Sequence, residues 1–189
     1  MPNKFEPNGV FYAADLPLNW TPLSRIQPAQ SEQWQYAGTA LLRALAVLET
    51  PVPEVERDIS SANGKAMERL EAKLDLALSL MTQLARQQAE LPPSHHVVLR
   101  ANSLEWLGEP VPAMQQLVLV SLHISPKLPQ PLILPATVTG VALQDNGASL
   151  VRAAFADLSE EMEEWLERTL FRFHRRSIQQ SHSRQHGES

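Results

Sequence analysis

From Met67 onward, apolar residues recur in alternating steps of three and four: Met67, Leu70, Leu74, Ala77, Met81 and Leu84, with Gln88 and Leu91 completing the frame. That is the period of a coiled-coil seam. Upstream the same frame falls on Ser60 and Asn63, so the apolar seam covers about the second half of the helical run. Gly64 is a poor residue for a helix interior and marks a kink or a late start. Pro92 and Pro93 end the run, because the ring blocks continuation. At about 1.5 Å per residue, residues 60–90 reach about 45 Å, long for a helix belonging to one small domain. Leu76, Leu78 and Leu80 lie off the seam and make the helix apolar on more than one side. A chain of 189 residues has little surface with which to cover both sides, so the pattern predicts self-association through the seam. Ala77 at a d position permits close approach, but the pattern alone leaves the number of strands open.

The remainder reads as short strands framed by two more helices. Residues 9–23 are apolar and broken by Pro17 and Pro22, which predicts one strand or two half-strands at a sheet edge. Over 31–49, Trp34, Ala37, Leu41, Leu45 and Leu48 form one helical stripe, with Ser31 as N-cap. Residues 97–156 hold β-rich runs divided by EPVP, SPKLPQP and QDNG, the pattern of a sandwich or small barrel. Asn146-Gly147 is the strongest hairpin signal in the chain. A last helix spans 158–178, capped by Asp157 or Ser159, with Met162, Trp165, Leu166, Leu170 and Phe173 on one face. Its glutamates come first and its arginines last, which complements the helix dipole. Residues 179–189 are polar and low in complexity and read as a disordered tail.

Composition narrows the function. The net charge of −5 disfavours nucleic acid or an anionic membrane as a partner of the whole chain. With no cysteine there are no disulfides, thiolate metal sites or thiol nucleophiles. Fifteen prolines against seven glycines leave few glycine-rich loops for cradling phosphate. No run is apolar enough to span a bilayer, and residues 1–7 hold no apolar signal-peptide core, so a cytoplasmic location is expected.

Candidate reactive groups resolve into structural ones. His95 and His96 are adjacent, and their rings diverge on a strand or helix; His182 and His186 fall in the polar tail. No metal site is expected. Glu160, Glu161, Glu163 and Glu164 read as a solvated first helical turn. Arg168, Arg172 and Arg176 share a face and could meet an anionic partner, or pair with nearby glutamates. No nucleophile elbow, dinucleotide fingerprint or phosphate loop is present, so neither enzyme activity nor a cofactor is assigned.

The runs VVLRANSLEWLGEPVP, LVLVSLHI, PLILPATVTGVA and LVRAAFADLSEEMEEWLERTLFRFHRR, taken together, resemble the PilZ domain. The Phe155–Ser159 closure before a basic, aromatic helix strengthens the likeness. The resemblance implies an α+β fold: a six-stranded antiparallel β-barrel with a C-terminal helix. Residues 1–30 and 92–178 would form it, with 31–91 as an inserted helical region carrying the heptads. That layout resembles the atypical PilZ proteins of bacteria, and implies a homotetramer built on Met67, Leu70, Leu74, Ala77, Met81 and Leu84.

PilZ domains are best known as cyclic di-GMP receptors, with an R-x-x-x-R before a strand and a D/N-x-S-x-x-G after it. This chain departs from both. Residues 1–9 carry only Lys4, and Arg100 stands alone before the second motif. Aligning Ser103 with the motif serine puts Ala101 at Asp/Asn and Trp106 at Gly. Aligning Asn102 puts Leu104 at Ser and Leu107 at Gly, and Gly108 fits only with an inserted residue. Losing two guanidinium contacts, at roughly 1.5–3 kcal/mol each, weakens binding by about two to four orders of magnitude. The expectation is a non-enzymatic oligomeric adaptor, with a signalling protein as its partner and cyclic di-GMP not held by the usual motif. The alternatives are a cyclic di-GMP receptor using Arg100 and Arg25, and a purely structural coiled-coil scaffold.

Overall fold

The structure is a computed structural model. It describes residues 10–49 and 91–185, together with residues 67, 69, 70, 72–74, 76, 77, 80 and 81 between them. In chain order the elements are β1 (Tyr12–Pro22), α1 (Pro28–Glu49), β2 (Ser94–Leu99), β3 (Ser103–Leu107), β4 (Leu117–Leu122), β5 (Leu132–Leu143), β6 (Ser149–Phe155) and α2 (Glu160–Gln185). The six strands close into an antiparallel barrel in the order β1-β2-β3-β6-β5-β4.

Closure rests on β1, which serves two neighbours in turn. Residues 12–17 pair with β2, and residues 18–22 pair with β4. The half-strand reading holds, but the sheet-edge reading does not. Pro17, with no N–H to give, sits where the partner changes; its carbonyl still accepts the His123 N–H at 3.0 Å. Pro22 is the last residue of the strand. Both prolines therefore stand where a ladder bond ends, and the barrel needs no free edge.

Alternation fills the interior. Leu16, Leu18, Val97, Leu99, Leu104, Trp106, Val118, Val120 and Leu122 are buried on the first four strands of the chain, as are Leu132, Leu134, Val138 and Val151 on the last two. The β5–β6 hairpin forms where Asn146-Gly147 predicted it, turning through Asp145 and Asn146 with the Gly147 N–H on the Gln144 carbonyl at 2.9 Å. Gly147 takes φ +81°, and the Ala148 N–H donates to Asn146 Oδ1 at 3.0 Å. The run from Val97 to Gly108 is two strands, because Arg100–Asn102 make a turn closed by the Arg100 N–H on the Ser103 carbonyl at 2.9 Å.

The helices pack on each other; α1 also meets β5 and α2 meets β1. On α2 the expected face is buried: Met162, Leu166, Leu170 and Phe173, with Trp165 partly so. Ser159 is its cap, its hydroxyl accepting the Met162 N–H at 3.3 Å. Helix α2 runs to Gln185, which corrects the expected tail at 179–189 as far as that residue. Before Gly187 nothing in the sequence breaks a helix, and residues 186–189 lie outside the described residues.

Helix α1 starts at Pro28, not Ser31, with proline in the first turn where its missing N–H is harmless. Ser31 is buried and donates its hydroxyl to Asp157 at 2.6 Å; Gln35 donates to the Asp157 carbonyl at 2.8 Å. The α1 core face is Leu41, Leu42 and Leu45, whereas Ala37 is exposed. Gly38 sets the spacing: a Cβ there would stand 2.5 Å from Met162 Cε and 3.3 Å from Leu132 Cδ1.

Candidate functional site

Two places on the molecule answer to function: the β2–β3 turn with the helix beside it, and the heptad segment. The motif-like residues gather at the first but are spread over different jobs. Arg100, the first residue after β2, donates from Nη1 to Glu105 Oε1 at 2.9 Å, with both side chains about three-quarters buried. Arg152 on β6, opposite Glu105 in register, brings Nε to 3.8 Å from the same oxygen. Glu105 is thus held between two arginines, and Arg100 already has its anion. Drawing Arg100 toward a phosphate would strip that largely buried carboxylate of a charge-assisted bond.

The other motif positions are structural. Ser103 donates its hydroxyl to Asn102 Oδ1 at 3.1 Å across the turn, and Ala101 forms part of the turn. Trp106 points inward and is among the largest fully buried side chains. Gly108 takes φ +135° just after β3, and a Cβ on it would lie 2.4 Å from His95 Nδ1. That ring cannot easily yield, because His95 Nδ1 donates to the Leu107 carbonyl at 2.9 Å. Gly108 therefore serves the barrel wall. Gly108→Ala is expected to destabilise the fold by roughly 1–3 kcal/mol in urea unfolding. A loss below about 0.5 kcal/mol would return Gly108 to the candidates for ligand approach. His96 faces Asp15 at 3.1 Å, so the two histidines diverge as the strand requires. Among the described residues no three acidic or histidine side chains are grouped to hold a metal.

Beside the turn runs an open groove of about 960 Å³. Its walls are the turn residues Arg100–Asn102 on one side and Glu163, Glu167, Phe171 and Arg172 of α2 on the other, with Val10 at its edge. Arg168, also at the groove, is engaged with Glu164 and lies 5.3 Å over the Trp165 ring. Arg43 of α1 covers that ring at 5.4 Å and pairs with Glu161. Arg172 leans on the Thr169 hydroxyl at 3.1 Å. The i,i+4 spacing points to the Glu164–Arg168 pair, but the Arg43–Glu161 pair joins two helices and no spacing in the sequence shows it.

The described heptad residues are helical. Met67, Leu70, Leu74 and Met81 are each more than half exposed, and Ala77 is exposed as well. Leu76 and Leu80, off the seam, are also more than half exposed. Leu84 lies outside the described residues. Among these no helix is long and apolar enough to cross a membrane.

A closed antiparallel barrel whose first strand is separated from the rest by helices, with a terminal helix packed against that first strand, is a PilZ-type fold. The sequence matches over residues 42–184 the family described as atypical PilZ domain, cyclic di-GMP receptor, and the chain belongs to the atypical PilZ family. The structure is similar, with a TM-score of 0.71 and 26% identity, to that of a pathogenic protein from Xanthomonas campestris. The likeness covers 91% of this chain and 92% of that one. The Xanthomonas protein is described as a tetrameric PilZ domain self-assembled via an unusual helical bundle. No curated protein matches.

Proposed function

We propose that the protein is a non-catalytic signalling adaptor: PilZ barrels gathered into a homotetramer by the heptad helix, which present partner-binding surfaces and do not hold cyclic di-GMP through the usual motif. The observation that carries the reading is the row Met67, Leu70, Leu74, Ala77 and Met81, turned to solvent in a single chain. Solvated apolar rows of this length mark interfaces. The tetrameric assembly of the Xanthomonas relative supports four copies. The division into a barrel (1–30 and 92–178) and an inserted helical region (31–91) belongs to the same proposal, as do Leu84 in the seam and a cytoplasmic location.

The case against the usual ligand rests on the turn. Its one arginine is bound to Glu105, its glycine equivalent is the buried Trp106, and no second arginine of an R-x-x-x-R precedes β1. A receptor working through Arg25 and Arg100 together is disfavoured by the sheet. Arg100 follows Leu99, which pairs with Tyr12 at the start of β1, whereas Arg25 lies beyond its end at Pro22. Eleven residues of strand separate the two ends. At about 3.3 Å per residue that is roughly 30 Å along the barrel wall.

Isothermal calorimetry with cyclic di-GMP is expected to give no saturable heat at tens of micromolar. A micromolar or tighter affinity would overturn the ligand part of the proposal. A purely structural scaffold would differ from an adaptor in keeping one set of partners at every dinucleotide level.

A further inference from the structure

The charges around the α2 groove are sorted. Of the acidic residues on the first turns of α2, Glu161 is matched by Arg43 and Glu164 by Arg168. Glu163 and Glu167, one turn apart and both exposed, line the groove and have no cation partner among the described residues. Of the positive side chains there, Arg100 is paired with Glu105 and Arg168 with Glu164, while Arg172, less exposed than the two glutamates, leans only on the neutral Thr169 hydroxyl and Arg175 lies 6.0 Å over the Phe171 ring. One further turn along the same line of α2 stands Phe171, half exposed, with the exposed Val10 also lining the groove. Glu163, Glu167 and Phe171 therefore follow each other at four-residue steps on one helix face. The groove offers an apolar anchor site and, beside it, two uncompensated carboxylates.

We propose that this groove docks a basic, apolar-anchored segment of a partner protein: a large apolar side chain seated against Phe171 and Val10, with a lysine or arginine on its flank meeting Glu163 and Glu167. The inference rests on the adaptor reading and names the chemistry of its partner. Charge complementarity selects this occupant. The two exposed carboxylates on the rim outnumber the one lining arginine with no carboxylate partner among the described residues, Arg172, and so favour a cation over a phosphate dianion, while half-exposed Phe171 supplies the desolvated contact that gives such sites most of their affinity. Asn102, whose carboxamide oxygen accepts the Ser103 hydroxyl, stands on the opposite wall, and its amide N–H groups can bond a peptide backbone.

The test uses the full-length protein and two fluorescein-labelled peptides of about a dozen residues. Both carry the same central leucine–tryptophan anchor, flanked by lysines in one and glutamates in the other. Fluorescence anisotropy is expected to show saturable binding of the lysine peptide, weakened by salt, and much weaker binding of the glutamate peptide. The double variant Glu163→Lys, Glu167→Lys should reverse the preference. Phe171→Ser should weaken the lysine peptide by about tenfold, with the thermal melt unchanged because the side chain is half exposed. Equal binding of the two peptides overturns the proposal, as does no binding up to millimolar peptide or indifference to Phe171→Ser. Displacement of the peptide by cyclic di-GMP would make the groove a nucleotide site and also overturns it. Cross-linking of Phe171 to a second copy at working concentration would make the groove a self-contact and would equally refute the docking site. A protein that keeps its assembled mass and ignores the dinucleotide, yet binds neither peptide, refutes the groove while leaving the adaptor reading standing.

Discussion

Glutamate at both Leu74 and Met81 is expected to bring the proposed tetramer, about four times the chain mass, down to the 21.1 kDa of one chain. The two residues occupy successive a positions of the heptad. In the single chain their side chains are 55% and 66% exposed, and neither belongs to the buried core, although Met81 borders a cavity with Ala40, Leu41 and Leu128. In a bundle the same side chains are buried against other copies. Each leucine or methionine then contributes about 1.5–3 kcal/mol of burial per chain. A glutamate in its place loses that term and sets like charges facing one another in a low-dielectric seam, at a further penalty of several kcal/mol. Multiplied over the copies, the change takes dissociation far above micromolar concentration. Light scattering with size exclusion reads the mass directly, and an intact barrel melt shows that the fold is preserved. Unchanged mass would remove the heptad row from the interface and with it the reason to call the protein an assembly. Leu76→Glu and Leu80→Glu complete the series: a partial loss of mass in these variants would place the second apolar side in the bundle too.

The barrel was legible because its strands obey local rules. Runs rich in valine, leucine and isoleucine alternate with proline-bearing turns, and Gly147 takes the positive φ that closes the turn from Gln144. The apolar face of α2 was legible from its period. Three features were not. Arg100–Asn102 interrupt an otherwise continuous strand, and only the asparagine hints at the turn. Ser31 looks like a helix cap but is a buried hydroxyl, because its partner Asp157 lies 126 residues away. The better signal for the start of α1 was Pro28 in the first turn. The groove was hidden for the same reason. The i,i+4 spacing gives the Glu164–Arg168 pair, but that Glu161 is matched depends on where Arg43 of α1 folds, and no spacing rule gives that. Conversely, the misfit of Trp106 and Gly108 to the ligand motif was plain in the sequence, and the structure adds what each does instead.

Trp106→Ala is expected to cost about 3–5 kcal/mol of stability, the range for truncating a fully buried aromatic residue. Trp106 is 1% exposed, in the middle of β3, opposite Val97 on β2 and Val151 on β6, both fully buried. Its indole belongs to the barrel core, where the motif would have a glycine. The backbone around it is fixed by ladders to both neighbouring strands and cannot collapse to fill the void. For a chain of this size the loss lowers the melting temperature by roughly 6–20 °C, measured at one fixed protein concentration because assembly also shifts the melt. Leu143→Ala, on an exposed leucine at the far end of β5, serves as the control and should stay within about 0.5 kcal/mol. The variant also tests the ligand argument from the other side. If removing the indole opened a working pocket, cyclic di-GMP would bind and raise the melting temperature of Trp106→Ala alone. No rise is expected, because Arg100 remains tied to Glu105 and no second arginine arrives. A stability loss under 1 kcal/mol would show that Trp106 is not a core residue of this barrel.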